Sequence, residues 1–226
     1  MFDFAIYGHL VIDNIHDGDF NTMNFGGIYN TFKAFKEIDN SLQIGISPLS
    51  IGYADIFIDR KTSSRSSVAN LNEKQITPKI LDSKVHHLMY INELYNLSVL
   101  PSFSGILTAD VCKGFQIKNP ILINFLDYIF VSDEDEQDID FLIDNVKKGV
   151  FLHSKNGCEY LSKDCKHTYE IPKHLMVKNA NVLGAGDIFA ASTLYSLFYI
   201  NLTEEDAIQN ACILTSNMIR KYNEKV

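Results

Sequence analysis

The 226-residue chain is 46% hydrophobic and carries a formal charge of −8 at neutral pH. That length and apolar content suffice for one large core. The acidic balance, without any Lys/Arg block, excludes a nucleic-acid groove that works by counterion release. A small phosphorylated ligand stays open, because local geometry rather than net charge would hold it. Cys112, Cys158, Cys165 and Cys212 form no Cys-x-x-Cys pair and read as reduced structural thiols. The opening segment has no basic n-region and no apolar run is long enough to span a bilayer. A cytoplasmic protein with no membrane partner is expected.

In chain order, "FAIYG" (4–8) reads as a first strand. "GGIYNTFKAFKEI" (26–38) then sets Ile28, Phe32, Phe35 and Ile38 on one helical face. Residues 42–71 alternate with period two and predict a small antiparallel flap. "VHHLMYI" (85–91), "GILTADV" (105–111), "YIFVS" (128–132) and "GVFLHS" (149–154) predict buried strands. The acidic start of "DEDEQDIDFLIDNVKK" leads into helical spacing at Ile139, Leu142, Ile143 and Val146. "FLHSKNGCEYLSKDCKHTYEIP" (151–172) predicts a hairpin turning on "KNG", with a further strand near "HTYEIP". "TEEDAIQNACILTSNMIRKY" (203–222) opens with a Thr-x-x-Asp approximation to a capping box before an amphipathic helix. Strands alternating with helices predict an α/β fold, its largely parallel sheet covered on both faces.

The densest chemistry lies in "NVLGAGDIFAASTLYSL" (181–197). Gly184, Ala185 and Gly186 would let a ligand approach the backbone closely. A helix starting there presents unpaired N–H groups and a positive dipole end, which favour an anion. Asp187, in the first turn, could accept the proton of an attacking hydroxyl. The same residues equally suit a tight loop in which Asp187 only caps the helix. No Gly-Lys-Ser/Thr follows, so this is not a P-loop. Phe189 stands where a dinucleotide fingerprint needs its third glycine or alanine.

This segment resembles the C-terminal signature of the ribokinase-like (PfkB) sugar kinases, Asp-Thr-x-Gly-Ala-Gly-Asp-x-Phe before a long helix. The resemblance implies a three-layer α/β/α sandwich with a small β lid, here about residues 42–71 with parts of 9–25, within one domain spanning 1–226. It puts the catalytic base on Asp187 and the anion hole on Gly184, Ala185 and Gly186. Asn181 replaces the family's first aspartate and would lie near the nucleotide. "IYGHLVIDNI" is similar to the family's opening strand and places a sugar-hydroxyl acceptor on Asp13. "FGGIYNTFKAFKEI" is similar to its Gly-Gly-x-x-x-Asn substrate motif, one residue shorter, and implies acceptor contacts at Gly26, Gly27 and Asn30.

"DYIFVSDEDE" resembles the segment ending in Asn-x-x-Glu that organises magnesium. Two registers compete, Asp133 with Glu136 and Ser132 with Asp135, and Glu136 is chosen. "GVFLHSKNGCEYL" matches the strand-turn-strand beside the nucleotide, with Gly157 at the turn, and Asn210 falls where the adenine pocket is lined. Asp110 in "ILTADVC" would face the cleft, ranked behind Asp13. His153 and Arg65 could touch phosphates, although a structural histidine and an exposed loop charge are the simpler readings. The chain is shorter than most members, with the shortening concentrated between lid and acidic segment and again before the last helix.

The resemblance implies an ATP- and Mg²⁺-dependent kinase for a small sugar or sugar-like acceptor, with a homodimer through an exposed apolar lid face. Two alternatives stand beside it: a kinase-like protein that binds sugar or nucleotide without turnover, and a nucleoside kinase of the same fold.

Overall fold

The computed structural model describes residues 1–62, 64–71, 76–94, 97–112, 116–117, 119–177 and 180–224. Ser63, inside the expected lid, lies outside the described residues. The elements begin with β1 (Phe2–Asp17), β2 (Phe20–Gly27), α1 (Ile28–Ile38), β3 (Ile44–Asp59), β4 (Ser64–Leu71), β5 (Ser83–Leu88) and β6 (Ile106–Asp110). They continue with α2 (Pro120–Ile123), β7 (Tyr128–Ser132), α3 (Ile139–Asn145), β8 (Gly149–Ser154), β9 (Gly157–Leu161), β10 (Lys166–Glu170), α4 (Ala185–Phe198) and α5 (Glu204–Asn223). The strands form one sheet in the order β10-β9-β8-β7-β6-β5-β1-β3-β4, with β2 added along β1. From β3 through β8 the neighbours β3-β1-β5-β6-β7-β8 run parallel, and β9, β10, β4 and β2 are antiparallel additions.

Period-two alternation sends side chains into two cores, because the sheet is covered on both faces. Phe4, Ile6, Tyr128 and Phe130 point to the face covered by α1, α4 and α5. Ala5, Tyr7, Ile129 and Val131 point to the opposite face, packed by α2, α3 and the short turns after β5. This is the expected α/β/α sandwich. Its second face is thin: short 3₁₀ turns at Ile91–Glu93 and Leu100–Ser102 and the four-residue α2 occupy the crossovers on either side of β6.

α4 is buried almost all round, so its small residues let it approach α1 and α5 closely. Two of its buried hydroxyls turn back to the helix, Thr193 donating to the Phe189 carbonyl at 2.8 Å and Ser196 to that of Ser192 at 2.6 Å. The Thr-x-x-Asp start of α5 forms as predicted, with Thr203 Oγ1 accepting from the Asp206 N–H at 3.2 Å. Among the described residues no helix is long and apolar enough to cross a membrane.

The first strand runs nine residues beyond the predicted "FAIYG". At Gly8/His9 its register against β3 shifts by a bulge, and both strands continue outward. A Cβ at Gly8 would come within 2.8 Å of Met89 Cβ, so glycine marks tight packing there, not a strand end. Beyond the bulge, β1 lies between β2 and β3, and β4 closes the far edge. This four-stranded extension covers the segments from which a lid is expected, and is termed the lid. Its inner face carries Val11, Asp13, Ala54 and Ile56, all buried. Met23, Phe25, Tyr53, Phe57 and Val68 are exposed on it.

Candidate active site

A cavity of about 600 Å³ lies under the lid, between the carboxyl ends of the parallel strands and the start of α4. That is where open α/β sheets bind ligands. Asp13, on the inner lid face, and Asp187, in the first turn of α4, both line it. They are 5% and 4% exposed. The two acids brought together by motif order therefore open onto one cleft.

Gly26 explains how Asp13 is placed. It pairs with Val11 in the register beside Asp13, and a Cβ there would sit 2.0 Å from the Asp13 carboxylate. Glycine makes the space that the acid fills; Gly26 acts on the cleft through Asp13 and is not itself among the lining residues. Gly27 takes φ 58 as the residue before α1, and a Cβ there would overlap the His9 carbonyl at 2.2 Å. The sharp entry turns α1 under the lid and brings Asn30 into the cleft. The Asn30 amide lies 3.7 Å from the Cβ position of Gly184.

At the opposite wall, Gly184 adopts φ 78 as the residue preceding α4, with no side-chain cap. The N–H groups of Gly186 and Asp187 have no preceding helical carbonyl within reach, and they join a positive helix end open to the cavity. Gly184, Ala185 and Gly186 all line it. The His153 imidazole stands 3.3 Å from the Cβ position of Gly186 and packs against Phe189. Burial lowers its pKa to about 4, so it is neutral.

Asp187 is held by a residue that sequence reasoning missed. Tyr90 donates its hydroxyl to Asp187 Oδ1 at 3.0 Å, while its own N–H bonds to Asp110 Oδ1. Tyr90 has the left-handed backbone, φ 55 and ψ 58, uncommon for a non-glycine residue. No local signal marks a partner 97 residues away. Burial raises the Asp187 pKa to about 6, and the Asp110 charge adds to it; Arg65 and the Tyr90 and Asn30 hydrogen bonds oppose the rise. Burial likewise raises Asp13 to about 6 against the pull of Arg65.

Arg65 is exposed, as expected, but is not in a loop. It lies on β4 and lines the cleft. With Lys155 it faces seven carboxylates: Asp13, Glu93, Asp110, Asp133, Glu134, Asp135 and Asp187. A polyphosphate entering so acidic a cavity needs accompanying cations. Among the described residues no three His, Cys, Asp or Glu side chains converge on a metal position. The carboxylates that line the cleft are hard oxygen donors of the kind Mg²⁺ takes.

Three expected residues lie elsewhere. Glu136 is not among the lining residues. Asp135 folds back to accept the Ser132 N–H at 2.7 Å; Glu136 follows at φ 54, its carbonyl accepting from Gln116. The Ser132/Asp135 register faces the cleft instead. Burial raises the Asp135 pKa to about 6, opposed by its bond to the Ser132 N–H. Asn210 sits on the α4 side of α5 and donates to Ser196 Oγ at 2.9 Å; Cys212, Thr215, Ser216 and Ile219 are the α5 residues that reach the cavity. Asn181 lines a second cavity of about 280 Å³ behind Gly184, its Oδ1 accepting the Leu183 N–H at 2.9 Å. Gly157 does line the main cleft, and its lack of a Cβ also lets β9 meet the Tyr169 carbonyl.

His86 bonds Tyr7 and the Ser104 carbonyl, and His87 bonds Thr108, as structural histidines do.

Neither a protein-family model nor a curated protein matches this chain by sequence. Solved structures do match by fold. A pyrophosphate-dependent kinase in the ribokinase family, in its sulfate complex, superimposes with a TM-score of 0.73 at 12% identity, covering 96% of this chain and 95% of that one. Ribokinase from Thermotoga maritima gives 0.69 at 16%, covering 97% and 93%. An E. coli chain assigned as ribokinase II, in complex with ATP and Mg²⁺, gives 0.64 at 13%, again covering 97% and 93%. The chain has the ribokinase-like fold.

Proposed function

We propose that the protein is an ATP-dependent kinase for a hydroxyl of a small sugar or sugar-like alcohol. One observation carries the reading: the acid and open amides at the start of α4 share a cavity with the buried Asp13 of the lid. Asp13 and Asn30 hold the acceptor by its hydroxyls, in place through Gly26 and Gly27. Asp187 takes the proton of the attacking hydroxyl as its oxygen bonds to the γ-phosphorus. The bond to the bridging oxygen breaks, and ADP leaves. The amides of Gly184 to Asp187 meet the negative charge on the transferring oxygens. Mg²⁺, held through water by the acidic segment with Asp135 as the nearest candidate, would neutralise the phosphates. The closed lid excludes water, which competes as acceptor.

The apolar recess of Ile171, Leu175, Met176, Val177, Ala180 and Ile219 on the donor side suits a purine ring, which pyrophosphate lacks. A structural neighbour is nevertheless a pyrophosphate-dependent kinase, another structure of which holds a pyrophosphate analogue and myo-inositol. Both donors therefore belong in the assay. Phosphoryl transfer to sugars, polyols and nucleosides should be measured with ATP or pyrophosphate, with and without Mg²⁺, for wild type and Asp187→Ala. Turnover with ATP that Asp187→Ala abolishes supports the reading; equal turnover by both proteins refutes it.

Binding without turnover is the second reading. Tyr90 already donates to the base, and Asn181 stands where the resemblance expects a carboxylate. Acceptor binding with no product from either donor would decide for it. A cytoplasmic setting fits four free cysteines. The exposed apolar side chains of the lid suit a homodimer, which multi-angle light scattering of wild type against Tyr53→Glu tests by halving of the mass.

A further inference from the structure

His87 is 1% exposed on β5. It pairs with Thr108 of β6 and meets the Phe130 ring of β7 in a T-shaped contact at 5.7 Å. Counting hydrogens assigns its two nitrogens. Thr108 Oγ1 donates its one hydrogen to the His86 carbonyl at 3.2 Å. Toward His87 Nδ1, at 2.8 Å, that hydroxyl can therefore only accept, so Nδ1 carries a hydrogen. Nε2 has no hydrogen-bond partner among the described residues. It faces Asp110 Oδ2 at 3.7 Å. The other Asp110 oxygen accepts the Tyr90 N–H, which favours the ionised carboxylate. A bare Nε2 would set its lone pair against that charge in a buried site.

We infer that Nε2 also carries a proton, so that His87 and Asp110 form an ion pair, and that His87 is thereby a positioning residue for the charge of Asp187. Both Asp110 oxygens then face protein groups, which sets Asp110 apart from the carboxylates free to take a metal. Burial raises the Asp187 pKa first and the Asp110 charge next, while Arg65 opposes the rise. An imidazolium beside Asp110 offsets the second cause. Within the kinase reading, on which this consequence rests, it keeps the base ionised closer to neutral pH. The Asp110 charge also reaches Asp135, Cys112 and His153. Burial keeps the Cys112 thiol protonated and His153 neutral, so neither supplies the positive charge. The rival account makes His87 a scaffold for the turn after β5. That turn is held without it: Asn92 donates to the Cys112 carbonyl at 2.9 Å and accepts the Cys112 N–H at 3.1 Å. The Glu93 N–H reaches the Tyr90 carbonyl at 2.8 Å. Charge is the part left to His87.

Nitrogen NMR of the ligand-free full chain just above neutral pH reads both ring nitrogens of His87, assigned through the Phe130 contact. Two protonated nitrogens are expected, and a bare Nε2 overturns the inference. Carboxyl-carbon NMR then follows Asp187, assigned by the signal lost in Asp187→Asn. Its titration midpoint should rise by about half a pH unit to one unit in His87→Gln, which keeps a polar amide without the charge. In an Asp110→Asn background the same change should move it little, because His87 acts through Asp110. An unmoved midpoint in His87→Gln, or an equal rise in both backgrounds, overturns the role given to His87. Where a variant fails to fold, the wild-type nitrogen spectrum still decides the proton. No phosphoryl donor enters these measurements, so failure of the kinase reading would leave their results standing.

Discussion

Gly26–Gly27 and Gly184–Gly186 give the same signal in sequence, yet they do different work. A Cβ at Gly26 or Gly27 would strike the protein's own groups, the Asp13 carboxylate at 2.0 Å and the His9 carbonyl at 2.2 Å. A Cβ at Gly184 or Gly186 would meet nothing closer than 3.3 Å and would stand in the cavity. The first pair makes room for the fold to hold an acid. The second leaves room for a ligand. Adding methyl groups should therefore separate stability from activity.

The largest stability effect is expected at Gly27→Ala, where positive φ and a backbone overlap coincide. A loss of about 3 kcal/mol lowers the Tm by about 10 °C in a domain this size, readable by calorimetry. Gly26→Ala should push Asp13 aside with a smaller stability cost. The stabilisation by an acceptor in a thermal-shift assay should then vanish while that by ATP with Mg²⁺ persists. A Gly26→Ala protein that still gains stability from the acceptor would remove Asp13 from acceptor binding.

Gly184→Ala has open space but keeps φ 78, so it should cost only about 1 kcal/mol while slowing transfer on the order of a hundredfold. Comparing its Tm with its kcat checks both halves of that statement; a Tm loss as large as that of Gly27→Ala would erase the contrast between the pairs.

Tyr90→Phe should have the smallest effect. It deletes a hydrogen bond that favours the ionised base, so the Asp187 pKa rises from about 6. The acid limb of kcat should move upward by about half a pH unit to one unit, with activity above pH 8 less affected. The opposite sign holds for stability. Asp13, Asp135 and Asp187 all have pKa values raised to about 6 in the fold. Their protonated forms favour folding at low pH, and that contribution is lost as pH rises through about 6.

The core strands were legible because parallel strands buried on both faces read as short apolar runs; β7 and β8 match the predicted 128–132 and 149–154. The period-two alternation of 42–71 appears as β3 and β4, but only that pair is antiparallel; β3 also runs parallel to β1 in the main sheet, which the expected flap did not include. The length of β1 was not legible, because Gly8 looks like a terminator until Met89 and Ile28 are seen pressing against it. In the site, Asp13, Asp187 and the loop glycines followed from motif order. The choice between Glu136 and Asp135 turned on one backbone turn, which no composition encodes. Asn210 has the helical spacing of a pocket residue but faces α4. Arg65 was legible as a candidate but not as a strand residue at the cleft, and Tyr90 could not be found, since what makes it part of the cleft is a fold that joins distant segments.

The central claim is that Asp187 is the base at a shared cleft, and Asp187→Asn tests it most directly because the amide keeps the shape and the acceptor from Tyr90. Binding of ATP with Mg²⁺ should be retained while single-turnover phosphoryl transfer falls on the order of a thousandfold. Transfer within a few-fold of wild type, with binding intact, would contradict the account.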